Sequence, residues 1–219
     1  GTIYTLSNIT AQHTVAVTFK MMAYIISGYC LEPDGNTPVD GILIQTDDND
    51  VNAVTDVNGF YILWVDYGWT GIATPQKEGY VFEPNSDAYT NVTQDYNDAD
   101  YTASLITFKI AGYVLEQDDI TPISDVNVTA KNGGGPWTSR YGGGSDITDA
   151  NGYYEVAVDY NWSGKITPAK YAYAFELDSR TYANILADQN EQGYTGRLLI
   201  FAIRGYIQND CNVPVKGVV

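Results

Sequence analysis

The chain contains one stretch twice, and this stretch decides the fold. The copies read VTDVNGFYILWVDYGWTG at residues 54–71 and ITDANGYYEVAVDYNWSG at residues 147–164. In each copy Asp and Asn precede a glycine. This predicts a tight turn, because Asx side chains bond the nearby backbone and glycine accepts positive φ. The residues after the glycine alternate, with Tyr154, Val156 and Val158 on one face. A period of two predicts a half-buried β-strand.

Other motifs recur in the same order around both copies. The shared opening glycines are 84 residues apart (112 − 28), and the aspartates of the central stretch are 93 apart (149 − 56). The nine extra residues (93 − 84) fall in a glycine-rich loop at residues 132–144. A repeated strand scaffold tolerates an insertion confined to one loop, so the pattern predicts two modules.

Short alternating segments separated by turn signals, without helical period, predict an all-β protein of tandem antiparallel β-sandwich modules. We expect immunoglobulin-like or prealbumin-like modules of about seven strands each. Module 1 is placed at residues 22–104 and module 2 at residues 105–200. Residues 1–21 are interpreted as the terminal strand or strands of a preceding module, or as a donated strand. Residues 201–219 match the opening strands of an incomplete third module.

The motif order also carries a resemblance to a known family. It runs Ile-x-Gly, Thr-Pro-Val-x-Gly, Thr-Asp-x-x-Gly-x-Tyr and Thr-Pro-x-Lys-x-Gly-Tyr-x-Phe-x-Pro, at residues 26–28, 37–41, 55–61 and 74–84. This resembles carboxypeptidase-regulatory-like domains, which belong with the CnaB-like and transthyretin-like β-sandwiches. The resemblance covers nearly all of residues 22–200. It implies a secreted or cell-surface stalk, surface layer, adhesin or hydrolase accessory domain, and does not imply one activity.

Some CnaB-like relatives crosslink a lysine to an asparagine beside a buried acid. Lys20 and Lys109 precede the opening strands, but neither has a clear glutamate partner, since Glu155 has an isoleucine as its counterpart in module 1. We therefore expect no isopeptide bond. Cys30 and Cys211 lie in different copies of the repeat. We interpret Cys30 as a small buried apolar residue, with an intermolecular disulfide as the alternative.

The net charge of −16 makes nucleic acid an unfavourable partner and suits an extracellular surface. No stretch approaches the roughly 20 apolar residues that span a bilayer, so we expect no membrane insertion. The chain starts at Gly1 without an initiator methionine or a signal peptide. This is typical of a mature or excised piece of a longer protein.

We expect no enzyme, because no nucleophile and base are paired and the single histidine, His13, lies in a terminal strand. We expect no cofactor, with calcium as the alternative. Asp47, Asp48 and Asp50, together with Asp56, offer the hard oxygen ligands that calcium prefers. A solvated acidic loop is the simpler interpretation, because module 2 has glycines there.

Four sites fit the Asn-x-Ser/Thr pattern for N-glycosylation: Asn8, Asn91, Asn127 and Asn161. Asn8 and Asn91 occupy equivalent positions in their repeats, which strengthens the prediction for those two.

Two further sets of side chains are candidates for contacts. Phe60, Ile62 and Trp64 point away from the predicted core of module 1, so this strand is apolar on both faces. Such a face either contacts a neighbouring module or subunit, or is covered by a loop of the same module. Trp137 and Tyr141, in the glycine-rich insertion, are the candidates for ligand contact, including glycans.

The leading hypothesis is a structural extracellular protein, a subunit of a fibre, stalk or surface layer. Its partners would be other copies of itself or neighbouring modules. A spare strand in front and an unfinished module behind suggest assembly by strand exchange between subunits. The competing explanation is that the chain is a section of a longer tandem array. The alternative function is that of an adhesin or carbohydrate-binding accessory module of a larger secreted protein.

Overall fold

The computed structural model describes residues 5, 7–12, 14, 22–47, 50–132, 143–205, 208, 210 and 211. The chain divides into two compact units, residues 1–104 and residues 105–219. The regular structure of the described residues is β-strand alone, which confirms the predicted all-β class. The described part of the chain holds no helix with the length and hydropathy to cross a membrane.

Unit 1 has eight strands among its described residues. They are β1 (Ala23–Leu31), β2 (Leu43–Thr46), β3 (Asn52–Val54), β4 (Phe60–Asp66), β5 (Trp69–Gln76), β6 (Tyr80–Glu83), β7 (Asp87–Val92) and β8 (Tyr101–Leu105). They form two four-stranded sheets with the orders β4-β1-β8-β6 and β3-β2-β5-β7. β1 pairs with β8 in parallel and with β4 in antiparallel orientation.

The core of unit 1 is formed by the inward faces of these sheets. Successive side chains of a strand point to opposite faces, so every second residue of β4 is buried. These are Tyr61, Leu63 and Val65, as the alternation predicts. They belong to the same buried cluster as Ile26 of β1 and Ile44 of β2. Removing this apolar surface from water is the main stabilising contribution to the unit.

Unit 2 repeats the same architecture. Its strands are β9 (Thr107–Glu116), β10 (Asn127–Asn132), β11 (Ser145–Ile147), β12 (Tyr153–Asp159), β13 (Trp162–Ala169), β14 (Tyr173–Phe175), β15 (Arg180–Ile185) and β16 (Tyr194–Leu198). The sheet orders are β12-β9-β16-β14 and β11-β10-β13-β15, the orders of unit 1 with each strand number raised by eight. Tyr154, Val156 and Val158 face a separate core that also contains Trp162 and Ile166.

A buried threonine ties the central stretch to the preceding loop in both units. Thr55 Oγ1 donates to the carbonyl of Val39 and accepts the amide N–H of Ile42, both at 2.9 Å. Thr148 makes the same two bonds in unit 2. A buried hydroxyl is tolerated only with such partners, so the threonine of the Thr-Asp motif is a structural residue.

The glycine of the same stretch is required by the backbone. Gly59 has a φ of +72°, and a Cβ there would lie 2.5 Å from the carbonyl oxygen of Cys30. Gly152 has a φ of +74° and the same 2.5 Å approach to the carbonyl of Val114. Only glycine accepts both the positive φ and the close contact at no steric cost.

Each unit has eight described strands, one more than the number of about seven that the sequence predicts. The additional strands are β3 and β11, which pair with β2 and β10. Each has only three residues and ends at the first residue of the repeated stretch, where no separate strand was predicted. Three residues are too few for alternation to show, and backbone pairing with a neighbour is what makes them strands.

The predicted terminal segments are only partly described. The strand expected at residues 13–19 lies, apart from Thr14, outside the described residues. Of the predicted third opening, residues 201–205, 208, 210 and 211 are described, and none of them lies in one of the strands. A β-strand needs a hydrogen-bonding partner along its edge, and the strand pairings of the described residues give this segment none.

Candidate functional surfaces

The outward face of β4 is the first candidate interface. Phe60 and Ile62 are half-buried, and the ring of Phe60 lies 5.2 Å from that of Tyr29. Trp64 is 63% exposed, so no described loop of unit 1 covers it. β4 is also an edge strand of its sheet. The apolar face therefore reaches solvent at Trp64, and its use as an interface stays a prediction.

The corresponding face of unit 2 is polar. Lys109 Nζ lies 2.8 Å from Glu155 Oε1, and the hydroxyl of Tyr153 donates to the other carboxylate oxygen. The hydrogen bond from Lys109 lowers the pKa of Glu155 and in turn raises the pKa of Lys109. The statement that Lys109 lacks a glutamate partner was therefore wrong. Both side chains are solvated, however, whereas the isopeptide chemistry of the CnaB resemblance implies a buried acid.

The segment that follows β16, residues 199–205, is the second candidate interface. Its apolar side chains include Phe201 and Ile203, and both are exposed. Ile203 stands at the position that Ile26 and Ile110 occupy in the two units, with the same Gly-Tyr two residues later. Ile26 and Ile110 are completely buried, and Ile203 is completely exposed. One core-forming side chain of the repeat is thus left in solvent.

All four glycosylation candidates are exposed asparagines: Asn8, Asn91, Asn127 and Asn161. Three of them have positive φ, with values of 57° at Asn8, 50° at Asn91 and 61° at Asn161. Unit 1 has Gly68, with a φ of 79°, at the position of Asn161. Asparagine tolerates the left-handed region better than most residues, which gives these positions a structural reason for asparagine. Occupancy by glycans stays a prediction.

Asp56, one of the calcium candidates, has a structural role. Its Oδ1 accepts the amide N–H groups of Asn58 and Phe60, both at 2.9 Å. The bond from Phe60 is the largest cause of its lowered pKa. Asp149 holds the equivalent turn in unit 2 in the same way, where the acidic loop is missing. These bonds account for an aspartate at position 56 without a metal ion.

The other calcium candidates are exposed carboxylates. Asp47 Oδ1 accepts the amide N–H of Ile72 at 3.0 Å, and Asp50 is exposed. Asp48 lies outside the described residues. Among those that are described, no three metal-ligating side chains converge. The calcium site stays a prediction.

Cys30 is completely buried in the core of unit 1, as predicted, and burial raises the pKa of its thiol to about 12. A thiol held in this neutral form is a poor nucleophile. Cys211 is exposed. Trp137 and Tyr141, the candidates for ligand contact, lie outside the described residues.

Unit 2 contains a cavity of about 520 Å³ that the sequence analysis missed. Arg180 lines it, and its Nη2 donates to the carbonyl of Gly193 at 2.7 Å. The guanidinium lies over the ring of Tyr194, 5.4 Å from the centroid. The Nε of Arg180 is buried and, among the described residues, has no hydrogen-bond partner. Arg180 therefore brings a cationic group with one unsatisfied donor to the wall of the cavity.

Unit 1 has acidic residues at the corresponding positions. Asp87 stands where unit 2 has Arg180, and Asp100 stands where unit 2 has Gly193, both at the offset of 93 residues. Asp100 Oδ1 accepts the amide N–H of Tyr29 at 2.7 Å. Comparing the two copies position by position would have shown one reversal of charge and one loss of a charge. Comparing the shared motifs did not show this difference, because neither position lies within a motif.

Searches against protein-family models and curated proteins find no match. Among solved structures, the Bacillus anthracis TIE protein is similar with a TM-score of 0.60 at 12% identity. The match covers 81% of this chain and 34% of the TIE chain.

Two pilins are more distant. GBS52, the minor pilin of Streptococcus agalactiae, has a TM-score of 0.35 at 10% identity, over 83% of this chain and all of its own. The shaft pilin SpaA from Lactobacillus rhamnosus GG has a TM-score of 0.34 at 7% identity, with the same coverage. At such identities the comparison with the TIE protein shows the fold alone, which is an all-β, sandwich-like architecture.

Proposed function

We propose that the chain is a structural extracellular protein, a subunit of a fibre, stalk or surface layer, in which β-sandwich units associate by strand pairing. One observation carries the proposal. Ile203 is exposed, although its counterparts Ile26 and Ile110 are buried core residues. Residues 201–205 are apolar and strand-forming in sequence, and the described strand pairings do not include them, so their backbone is open to strand addition.

The way in which unit 2 begins supports this proposal. β8 ends at Leu105 and β9 starts at Thr107, so the last strand of unit 1 passes into the first strand of unit 2 with one residue between. β16 ends at Leu198, and the residues that follow match the start of β9. The segment at residues 199–205 is therefore in the position of a first strand.

A backbone hydrogen bond at the start of the first strand also supports the proposal. In unit 1 the carbonyl of Met22 accepts the amide N–H of Tyr67, and in unit 2 the carbonyl of Ile106 accepts that of Tyr160. Each bond joins the start of the first strand to the turn after the fourth. Leu199 occupies the same repeat position as Met22 and Ile106. A neighbouring copy could supply a partner strand equivalent to β4 or β12. The turn after that strand would then donate an amide N–H to the carbonyl of Leu199.

The finer features of the proposal rest on the sequence. The motif order resembles carboxypeptidase-regulatory-like and CnaB-like modules, whose relatives imply a cell-surface or secreted location. The proposed protein is not an enzyme, because its single histidine has no nucleophile or acid pattern around it. N-glycans at the exposed asparagines would shield the faces of the sheets, and intact mass of the native protein tests for them.

The experiment compares Ile203→Asp with Ile120→Asp by electron microscopy and sedimentation velocity at physiological salt. Ile120 is 81% exposed in a turn and serves as the matched control. Salt is needed because copies with a net charge of −16 repel each other when unscreened. Wild type and Ile120→Asp should form filaments or concentration-dependent oligomers, and Ile203→Asp should stay monomeric. A wild-type chain that is monomeric throughout would overturn the proposal. It would indicate that this segment pairs within a longer chain.

A further inference from the structure

We propose that the cavity of unit 2 binds a small carboxylate carried on a hydroxylated ring, such as an acidic sugar. The proposal rests on two hydrogen-bond donors that both lie beside Gly193, at the position where unit 1 supplies its own carboxylate. It is independent of the proposed assembly, because none of the residues involved belongs to the segment at residues 199–205.

The first donor is the amide of Tyr113. It corresponds to the amide of Tyr29, which in unit 1 donates to Asp100 Oδ1 at 2.7 Å. Unit 2 has Gly193 in place of Asp100, so no side chain can supply that oxygen. A Cβ built on Gly193 would lie 3.0 Å from the carbonyl oxygen and 4.0 Å from the amide nitrogen of Tyr113. The missing side chain would therefore point at Tyr113.

The second donor is Arg180. Its Nη2 is taken by the carbonyl of Gly193, but its buried Nε has no partner within the described ranges. Neither of the two ion pairs among the described residues involves it. A guanidinium presents its N–H groups in one plane, in a geometry that matches a carboxylate. Arg180, Tyr113 and Gly193 all line the cavity, so a ligand carboxylate at the place of the missing side chain would accept the Tyr113 amide N–H beside the guanidinium.

The rest of the cavity suits a ring with hydroxyl groups. The rings of Tyr113 and Tyr153 lie 5.3 Å apart, and Tyr113 is 51% exposed, so an apolar aromatic face is open to a ligand. Asn190, Glu191 and Asp119 also line the cavity and provide oxygens that accept bonds from hydroxyls. The two carboxylates disfavour a polyanion. Because this repulsion grows with the charge of the ligand, the cavity favours one acidic group over several. A volume of about 520 Å³ lies within the range of small-molecule sites.

Unit 1 does not repeat this site. It has a smaller cavity of about 390 Å³ lined by Asp87, Asp95 and Asp98. Asp87 stands at the position of Arg180, so a carboxylate would be repelled there. The full chain should therefore bind one equivalent of ligand, in unit 2.

The test follows amide chemical shifts of the full chain during titration with sodium glucuronate. Glucose has the same ring without the carboxylate, and acetate has the carboxylate without the ring. We expect glucuronate to shift the Tyr113 and Gly193 amides, glucose to leave them unchanged, and acetate to bind more weakly. Equal binding of glucuronate and glucose, or no shift well above millimolar glucuronate, would overturn the carboxylate site. Equal affinity for acetate and glucuronate would overturn the role of the ring.

Three variants separate the site from the fold. Arg180→Gln should weaken glucuronate binding about tenfold or more, because it removes a charge-assisted hydrogen bond. Gly193→Asp restores the arrangement of unit 1, so its own carboxylate should fill the site and abolish binding in a folded protein. Lys165→Gln, at an exposed residue of the same unit, changes the net charge equally and should have no effect. Unchanged affinity in both site variants would show that the shifts arise elsewhere.

Discussion

At the scale of single residues, a few polar side chains hold the turns to the core. Thr148 is 3% exposed, and its hydroxyl bridges the amide of Val126 and the carbonyl of Ile123, at 2.9 and 2.8 Å. A valine has nearly the same shape but makes neither bond. The energetic consequence comes mainly from the two backbone groups that would stay buried without partners.

We therefore expect Thr148→Val to lower the free energy of unfolding of unit 2 by about 2 kcal/mol or more. Thr90→Val is the control, because Thr90 is exposed on β7 and its substitution should change stability by less than about 0.5 kcal/mol. Urea unfolding followed by tryptophan fluorescence measures both. Equal midpoints for the two variants would contradict a structural role for the Thr148 hydroxyl.

At the scale of elements, one buried tyrosine joins the fourth strand of each unit to the connection before its last strand. The hydroxyl of Tyr61 on β4 donates to the carbonyl of Ala99 at 2.6 Å. The hydroxyl of Tyr154 on β12 donates to the carbonyl of Gln192. Burial, the largest cause, raises the pKa of both hydroxyls well above the usual value for tyrosine. The same connection in unit 2 contains Gly193, so Tyr154 also positions one wall of the proposed site.

We expect Tyr154→Phe to destabilise unit 2 by about 1–3 kcal/mol, because the Gln192 carbonyl loses its buried donor. The hydroxyl of Tyr154 keeps its proton in the folded state, whereas tyrosines of the unfolded chain ionise near pH 10. Stability should therefore fall as the pH rises above about 10, and the fall should be shallower in the variant. Denaturant titrations at pH 8 and pH 11 measure both effects. Tyr153→Phe, on the outward face, is the control and should change stability less.

At the scale of the whole molecule, each unit has the parts of an independent domain. Each has two four-stranded sheets and its own buried cluster. Both clusters are formed from the same repeat positions, such as Ile26 with Ile110 and Tyr61 with Tyr154. The predicted module boundaries at residues 104 and 105 remain to be tested by expressing the parts.

We expect residues 22–105 and residues 105–200, expressed separately, each to unfold in one cooperative transition. Residues 22–95 serve as the control, because this piece lacks β8 and with it the buried Tyr101 and Ala103. It should be unfolded or aggregated. Circular dichroism during heating distinguishes the outcomes. A fragment of residues 22–105 that melts without cooperativity would contradict the prediction of separate modules.

The sequence by itself determined the local features: the faces of β4 and β12, the turns at Asp56 and Asp149, and the burial of Cys30. These follow from period two and from turn chemistry, which act between residues close along the chain. Only the tertiary structure revealed strands β3 and β11, the Lys109–Glu155 pair and the cavity at Arg180. The Lys109–Glu155 pair and the cavity depend on residues far apart in sequence that sheet pairing brings together, and the two short strands depend on pairing with a neighbouring strand. The exposure of Ile203 was also visible only in the tertiary structure. Its motif predicts a core residue, but burial of the side chain requires that its segment pair as a strand.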